Sequence, residues 1–224
     1  MISKIYLLVC KIYSITFTFY ENFFLKKNKK ILKEYYLLKI NKPVSIDFKK
    51  CEDFKINKYM NKFMLNKEFI DSVLNELFLE NKLKDKITEI TGFNYFVGYI
   101  IAYRTKNVPN IDSNLDLYAN KWHKDKPFTE NTLKLIIPLQ EITDKDGGIE
   151  IKIKDDRIFK MTSKKDELLM FFPNKNYHKA GNPIFDRDQI MIQLNPSKKW
   201  CYSNELISEQ SKIEPKFPFF YYLF

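Results

Sequence analysis

Hydrophobic positions along the chain follow two rhythms. From Asn66 onward Phe69, Ile70, Val73, Leu74, Leu77 and Phe78 recur three or four residues apart, which predicts a helix through Leu79 with Asn66 as its N-cap. Gly92 marks a break. Beyond it lie five apolar runs, 95–103, 133–139, 149–153, 168–172 and 189–194, separated by clusters of Gly, Pro, Asn and Asp. With no helical periodicity between them, these runs predict an antiparallel sandwich or barrel. At the N-terminus, Ser14–Phe19 alternates polar and apolar residues and predicts a strand. From Phe24 to Lys39, Phe24, Ile31, Tyr35 and Leu38 fall at helical spacing among five lysines, predicting a basic amphipathic helix.

The chain has 224 residues, 45% of them hydrophobic, enough for one domain with its own core. Its net charge of +10 is unevenly placed. Residues 1–50 hold 11 Lys and 3 acids (+8), leaving 27 basic and 25 acidic residues (+2) in the remainder. The expected organisation is a basic N-terminal extension over 1–50, a main domain over 51–200, and an apolar tail over 201–224 that packs on the domain. The basic helix is expected to pack on the domain by its apolar side; its alternatives are a peripheral membrane contact through residues 1–40 or a grip on phosphates. The first apolar stretch is interrupted by Lys11, and it predicts neither a signal peptide nor a spanning helix. Three cysteines without a C-x-x-C pair point to a reducing, cytoplasmic setting. The near-neutral remainder has no basic stripe with interleaved aromatics, which argues against a nucleic-acid substrate.

Only two histidines occur, so repeated His-bearing fingers and His-rich metal tracts are excluded. His123 stands two residues before Asp125, and in extended backbone both side chains point the same way. His178 follows the strand-like Leu168–Phe172 and can add a third ligand from a facing strand. Two imidazoles and one carboxylate on one face of an ion leave the opposite positions open, the arrangement of non-haem Fe(II) oxygenases. Arg187 opens the run Asp188–Leu194 and shares a face with Gln189, Met191 and Gln193, from where its guanidinium can pair with a carboxylate beside the metal.

The stretch Trp122-His-Lys-Asp125, the run Leu133–Gly148, Asp166–Phe172, His178, and Asn182 with Arg187 together resemble the phytanoyl-CoA dioxygenase-like branch of the Fe(II)/2-oxoglutarate-dependent oxygenases, over roughly residues 55–196. The resemblance implies a mainly β, α+β domain: a double-stranded β-helix, or cupin-like jelly roll, with flanking helices. It implies His123, Asp125 and His178 as iron ligands, and Arg187 as the holder of the distal carboxylate of 2-oxoglutarate, with Lys134 as its rival. Tyr103, with Tyr99 on the same face, is a candidate to line the pocket. The implied reaction uses Fe(II), 2-oxoglutarate and O2. It yields succinate and CO2 while hydroxylating an unactivated C–H bond of a small metabolite or an acyl, sugar or lipid-linked intermediate. Asp125 stands where related halogenases have a small residue, which favours hydroxylation. Two features depart from the family: no Pro-Gly-Ser-His-like motif follows Gly147-Gly148, and Ala180 replaces a common hydroxyl residue. Residues 106–121 and 155–165 are the loops expected to meet substrate. Other classes remain open: a cupin-like metal- or ligand-binding protein that does not use 2-oxoglutarate, or a nucleic-acid or membrane-surface protein acting through the basic segment.

Overall fold

The computed structural model describes residues 2–201, apart from 29, 47–50, 113, 116, 118, 126 and 127; the apolar C-terminal tail expected beyond Cys201 lies outside them. Helix α1 (Ile2–Tyr20) ends in a π-helical turn, Glu21–Leu25. Strand β1 (Tyr35–Lys39) is followed by the hairpin β2 (Glu52–Asn57) and β3 (Met60–Met64), then by helices α2 (Lys67–Asn75) and α3 (Leu83–Thr91). The remaining strands are β4 (Asn94–Thr105), β5 (Leu133–Pro138), β6 (Ile149–Lys152), β7 (Ile158–Lys160), β8 (Glu167–Phe171), β9 (His178–Ala180) and β10 (Arg187–Ser197). Seven strands make one antiparallel sheet in the order β1-β8-β5-β10-β4-β3-β2, and β7-β6-β9 make a smaller one.

All five apolar runs of the downstream region lie on strands, and α2 begins where its cap predicts. The Asn66 side chain accepts from the Phe69 amide at 2.8 Å, and Ile70, Val73 and Leu74 are buried. Because that cap satisfies an otherwise orphan donor, Asn66→Ala is expected to lower stability by about 1 kcal/mol, readable as an earlier urea midpoint. Gly92 closes α3 at φ +78°, with its amide bonded to Thr88 O.

Two expectations fail. Residues 14–19 lie in α1, not in a strand. Their short alternation is overridden by a longer pattern, in which Tyr13 stacks on Phe17 at 4.5 Å and Phe19 on Phe23 at 6.1 Å, each pair four residues apart. Residues 24–39 do not form the amphipathic helix: the chain leaves the helical turn at Leu25 and becomes strand β1 at Tyr35. A helix there would set Lys26, Lys27, Lys29, Lys30 and Lys33 three and four apart with no acid among them, a run of like-charge repulsions. Tyr35–Lys39 instead pairs in register with Phe171–Glu167, so this part of the expected extension is an edge strand of the main sheet.

The larger sheet has two faces. Its outer face, with Val97, Ile100, Leu133, Leu135, Met170 and Ile192, packs against Ile70, Leu74, Leu77, Phe78, Leu83 and Ile87 of the helical layer. Its inner face meets the smaller sheet through Ile136, Leu169 and Phe171 against Ile149 and Ile151. Because side chains alternate along a strand, that inner face also carries Lys134, Tyr103, Arg187 and Met191, and polar groups enter the space between the sheets.

Candidate metal centre

His123 and His178 are direct antiparallel partners: each donates its amide to the other's carbonyl at 3.0 Å. This bridge adds residue 123 to the edge of the smaller sheet beside β9, and the two imidazole centroids lie 4.3 Å apart. Two residues on, the Asp125 amide donates to Pro173 O at 3.2 Å, which turns the carboxylate to the same side. The Nε2 atoms of His123 and His178 come within 3.4 and 3.6 Å of a single oxygen, Asp125 Oδ1. One ligand atom from each residue lies within 4.8 Å of the others, the one such cluster among the described residues.

The backbone sets the state of both rings. His123 Nδ1 is 2.8 Å from Lys121 O, and His178 Nδ1 is 3.2 Å from Asn176 O. A carbonyl oxygen can only accept, so each Nδ1 carries the proton and each Nε2 turns a lone pair inward. Burial pushes the His178 pKa down to about 4, with Lys134 and His123 adding to the shift, so this ring is neutral at pH 7. The hydrogen bond that its protonated ring would donate to Asp125 raises that of His123. Burial alone would raise the Asp125 carboxyl, but the Lys134 charge and the His123 bond outweigh it and hold it below the usual carboxylate range. Two nitrogen lone pairs and one carboxylate oxygen fit a divalent cation.

Lys134 touches this carboxylate from the other side, its Nζ 2.5 Å from Asp125 Oδ2. The carboxylate is thereby divided: Oδ1 faces the imidazoles and Oδ2 faces the ammonium. Arg187 is fully buried on the same inner face, with Nη1 3.5 Å from Asp146 O and 3.4 Å from Gly181 O. The flanking acids do not claim it. Asp188 takes a two-pronged pair from Arg104 at 2.7 Å, and Asp186 lies 3.9 Å from the same guanidinium. Tyr103 hydrogen-bonds Gln189; its pKa is raised by burial, while the charges of Arg187 and Lys134 oppose the rise.

A cavity of about 530 Å³ opens over His123, Asp125 and His178, an ordinary size for a small-molecule site. Tyr103 and Lys134 line it, whereas Tyr99 and Arg187 are not among its lining residues. Of the two loops expected to meet substrate, 106–121 contributes Leu117 and Ala119 and 155–165 contributes none. The hairpin β2–β3 supplies Ile56, Met60 and Lys62, which the sequence reading missed. The one available signal was the alternation Phe54-Lys-Ile56, too exposed and charged to stand out. Trp122 lies between the ammonium groups of Lys152 and Lys179 at 5.2 and 5.1 Å, and Trp200 packs on Phe78 and Tyr95, so both serve packing. Asn182 fastens the segment after β4 by exchanging bonds with Val108 N and O at 2.8 and 2.9 Å. Gly147, at φ +58°, sits so close to Asn182 that a Cβ would fall 2.3 Å from its carbonyl carbon.

Two facing antiparallel sheets, joined through long crossings and holding a ligand cluster between them, define the architecture. The chain has a double-stranded β-helix fold. Solved structures agree. The non-heme alpha-ketoglutarate-dependent epimerase SnoN from nogalamycin biosynthesis superposes with a TM-score of 0.53 at 10% identity, over 73% of this chain and 77% of that one. HygX from Streptomyces hygroscopicus, with nickel, 2-oxoglutarate and hygromycin B bound, gives 0.50 at 8% identity, over 73% and 83%. No protein-family model and no curated protein sequence matches the chain.

Proposed function

We propose that the protein is a non-haem Fe(II)- and 2-oxoglutarate-dependent dioxygenase that hydroxylates an unactivated C–H bond of a small molecule, in the manner of the phytanoyl-CoA dioxygenase-like branch. The observation that carries this reading is the convergence of two backbone-tethered imidazoles on Asp125 Oδ1 beneath a cavity. His123, Asp125 and His178 hold the metal. Iron, 2-oxoglutarate and O2, when bound, supply the oxidising chemistry that couples release of succinate to hydroxylation.

The chain's own part is to hold and orient. Lys121 O and Asn176 O keep both imidazoles in the metal-binding tautomer. Lys134 keeps Asp125 ionised and occupies Oδ2, leaving Oδ1 for the metal. With Lys134 so engaged, Arg187 is the residue assigned to the distal carboxylate of 2-oxoglutarate, its fork suited to two parallel bonds. Tyr103, on the inner face near Arg187, lines the cavity. Apolar residues such as Ile101, Ile136, Phe171 and Met191 exclude water from the reacting C–H bond. None of the three cysteines forms a disulfide, in keeping with a cytoplasmic setting.

Anaerobic addition of Fe(II) and then 2-oxoglutarate is expected to produce a visible metal-to-ligand charge-transfer band, absent with either alone. A protein that binds Fe(II) but develops no band with 2-oxoglutarate would be a cupin-like metal protein instead, and the proposal would fall. Once the band is seen, succinate release across a panel of small molecules identifies the substrate.

A further inference from the structure

Helix α1 is apolar on opposite sides. Cys10 and Tyr13 are buried, as is Glu21 just beyond the helix end. Across the helix, Ile5, Leu8, Ile12, Ile15, Phe19 and Phe23 follow one another at intervals of three or four residues, each 56–72% exposed. A helix that packs by one side normally turns charged or polar residues outward, and this one turns a row of large apolar side chains. At the helical rise of about 1.5 Å per residue the row runs about 27 Å. It is held firmly: Thr18 Oγ1 accepts from the Glu130 amide at 3.0 Å, and the Glu21 carboxylate and Asn22 side-chain oxygen accept from Asn131 at 3.0 and 3.2 Å. Farther on, Lys27 N donates to Gly92 O at 2.7 Å. An apolar patch of this extent on a fixed element marks an interaction surface.

The surrounding charge selects the partner. Lys11 stands exposed at the edge of the row and Lys33 is exposed beyond its end; Lys27 and Lys30, exposed between them, also reach Asn94 and Glu89. Of the three acids in residues 1–50, Glu21 is buried against Asn131. Residues 1–33 hold seven lysines and one acid, so a second copy of the chain would bring +6 against +6, whereas an anionic lipid surface offers opposite charge above an apolar layer. Among the described residues no helix is long and apolar enough to cross a membrane, so the contact runs along the surface. We propose that α1 docks the protein flat on an anionic lipid bilayer, with Ile5, Leu8, Ile12, Ile15, Phe19 and Phe23 entering the boundary between headgroups and acyl chains and the neighbouring lysines meeting the headgroups. The proposal stands apart from the oxygenase reading.

Co-sedimentation of the full chain with vesicles tests it. Binding is expected to phosphatidylcholine vesicles containing roughly 30% phosphatidylserine, and to be at least about ten-fold weaker to phosphatidylcholine alone. Phe19→Glu with Phe23→Glu is expected to abolish binding while leaving circular dichroism and Fe(II) affinity unchanged, because both side chains are exposed and glutamate suits a helix. Lys11→Gln and Lys33→Gln should each weaken binding to the anionic vesicles by about five-fold, with little effect on phosphatidylcholine. The proposal is overturned if the full chain ignores anionic vesicles, or if the double glutamate variant binds as well as the parent. It is also overturned if sedimentation reveals a dimer that the same substitutions dissolve without any lipid binding, or if vesicles are bound only after removal of residues 202–224. In the former case the occupant of the row is a second copy; in the latter it is the chain's own C-terminus.

Discussion

Asp125→Ala is expected to abolish Fe(II) binding and to destabilise the metal-free protein at the same time. The carboxylate meets two imidazole nitrogens through one oxygen and the Lys134 ammonium through the other, in a site where Lys134 and His178 are both buried. Removing it takes away the only carboxylate of the cluster and the ion-pair partner of the buried Lys134, and breaking one side of such a pair costs about 3 kcal/mol. Isothermal titration with Fe(II) should lose its signal, and urea unfolding should shift to a lower midpoint. Lys134→Met separates the two effects: Oδ1 still faces the imidazoles, so Fe(II) binding persists. The pH dependence has a definite sign. The Asp125 pKa is depressed in the folded state, so its contribution is complete above the unfolded carboxylate value of about 4 and is lost as pH falls below it. Asp125→Asn should therefore flatten the acid limb of the stability profile. An unchanged acid limb would mean that Lys134 does not hold this carboxylate in solution.

Arg187→Ala is expected to raise the dissociation constant for 2-oxoglutarate by about 100-fold, since losing a charged partner of a buried carboxylate costs about 3 kcal/mol or more. Fe(II) affinity should stay near that of the parent, because the guanidinium does not belong to the ligand cluster. Loss of a large, fully buried side chain will also lower stability, so the measurement includes Arg187→Lys, which restores charge but not the fork. Charge-transfer titration gives the readout. If Lys134→Met weakens 2-oxoglutarate more than Arg187→Ala does, the assignment of the two cations is reversed.

Legibility in the sequence followed local determinism. The runs at 95–103, 133–139 and 189–194 are dense in β-branched and aromatic residues, and they became β4, β5 and β10 because burial and propensity agree there. Helix α2 was readable from its cap and its stripe together. Helix α3 was not: Leu83, Ile87 and Thr91 face inward, but the residue at its start is Lys82 in a left-handed conformation, and no capping side chain announces it. Strand β1 is fixed by partners far along the chain, Leu168 to Phe171, which no window around residue 35 contains. The trio was legible because chemistry limited it: both imidazoles had to be His123 and His178, and of the two only His123 has an acid two residues on. Part of the cavity wall was not, since Ile56, Met60 and Lys62 are ordinary strand residues until the sheet order places them around one opening.

The reciprocal amide bonds between His123 and His178 bear on the order of folding. Fifty-five positions separate the two residues (178 minus 123), and their rings come side by side only when the segment of His123 has paired with β9 at the edge of the smaller sheet. A metal ion therefore finds no site in the unfolded chain and cannot seed the structure. It acts afterwards, as a ligand that binds the native state alone and slows its opening. Added Fe(II) should thus leave the refolding rate almost untouched and reduce the unfolding rate, which makes a bound ion a brake on loss of the fold.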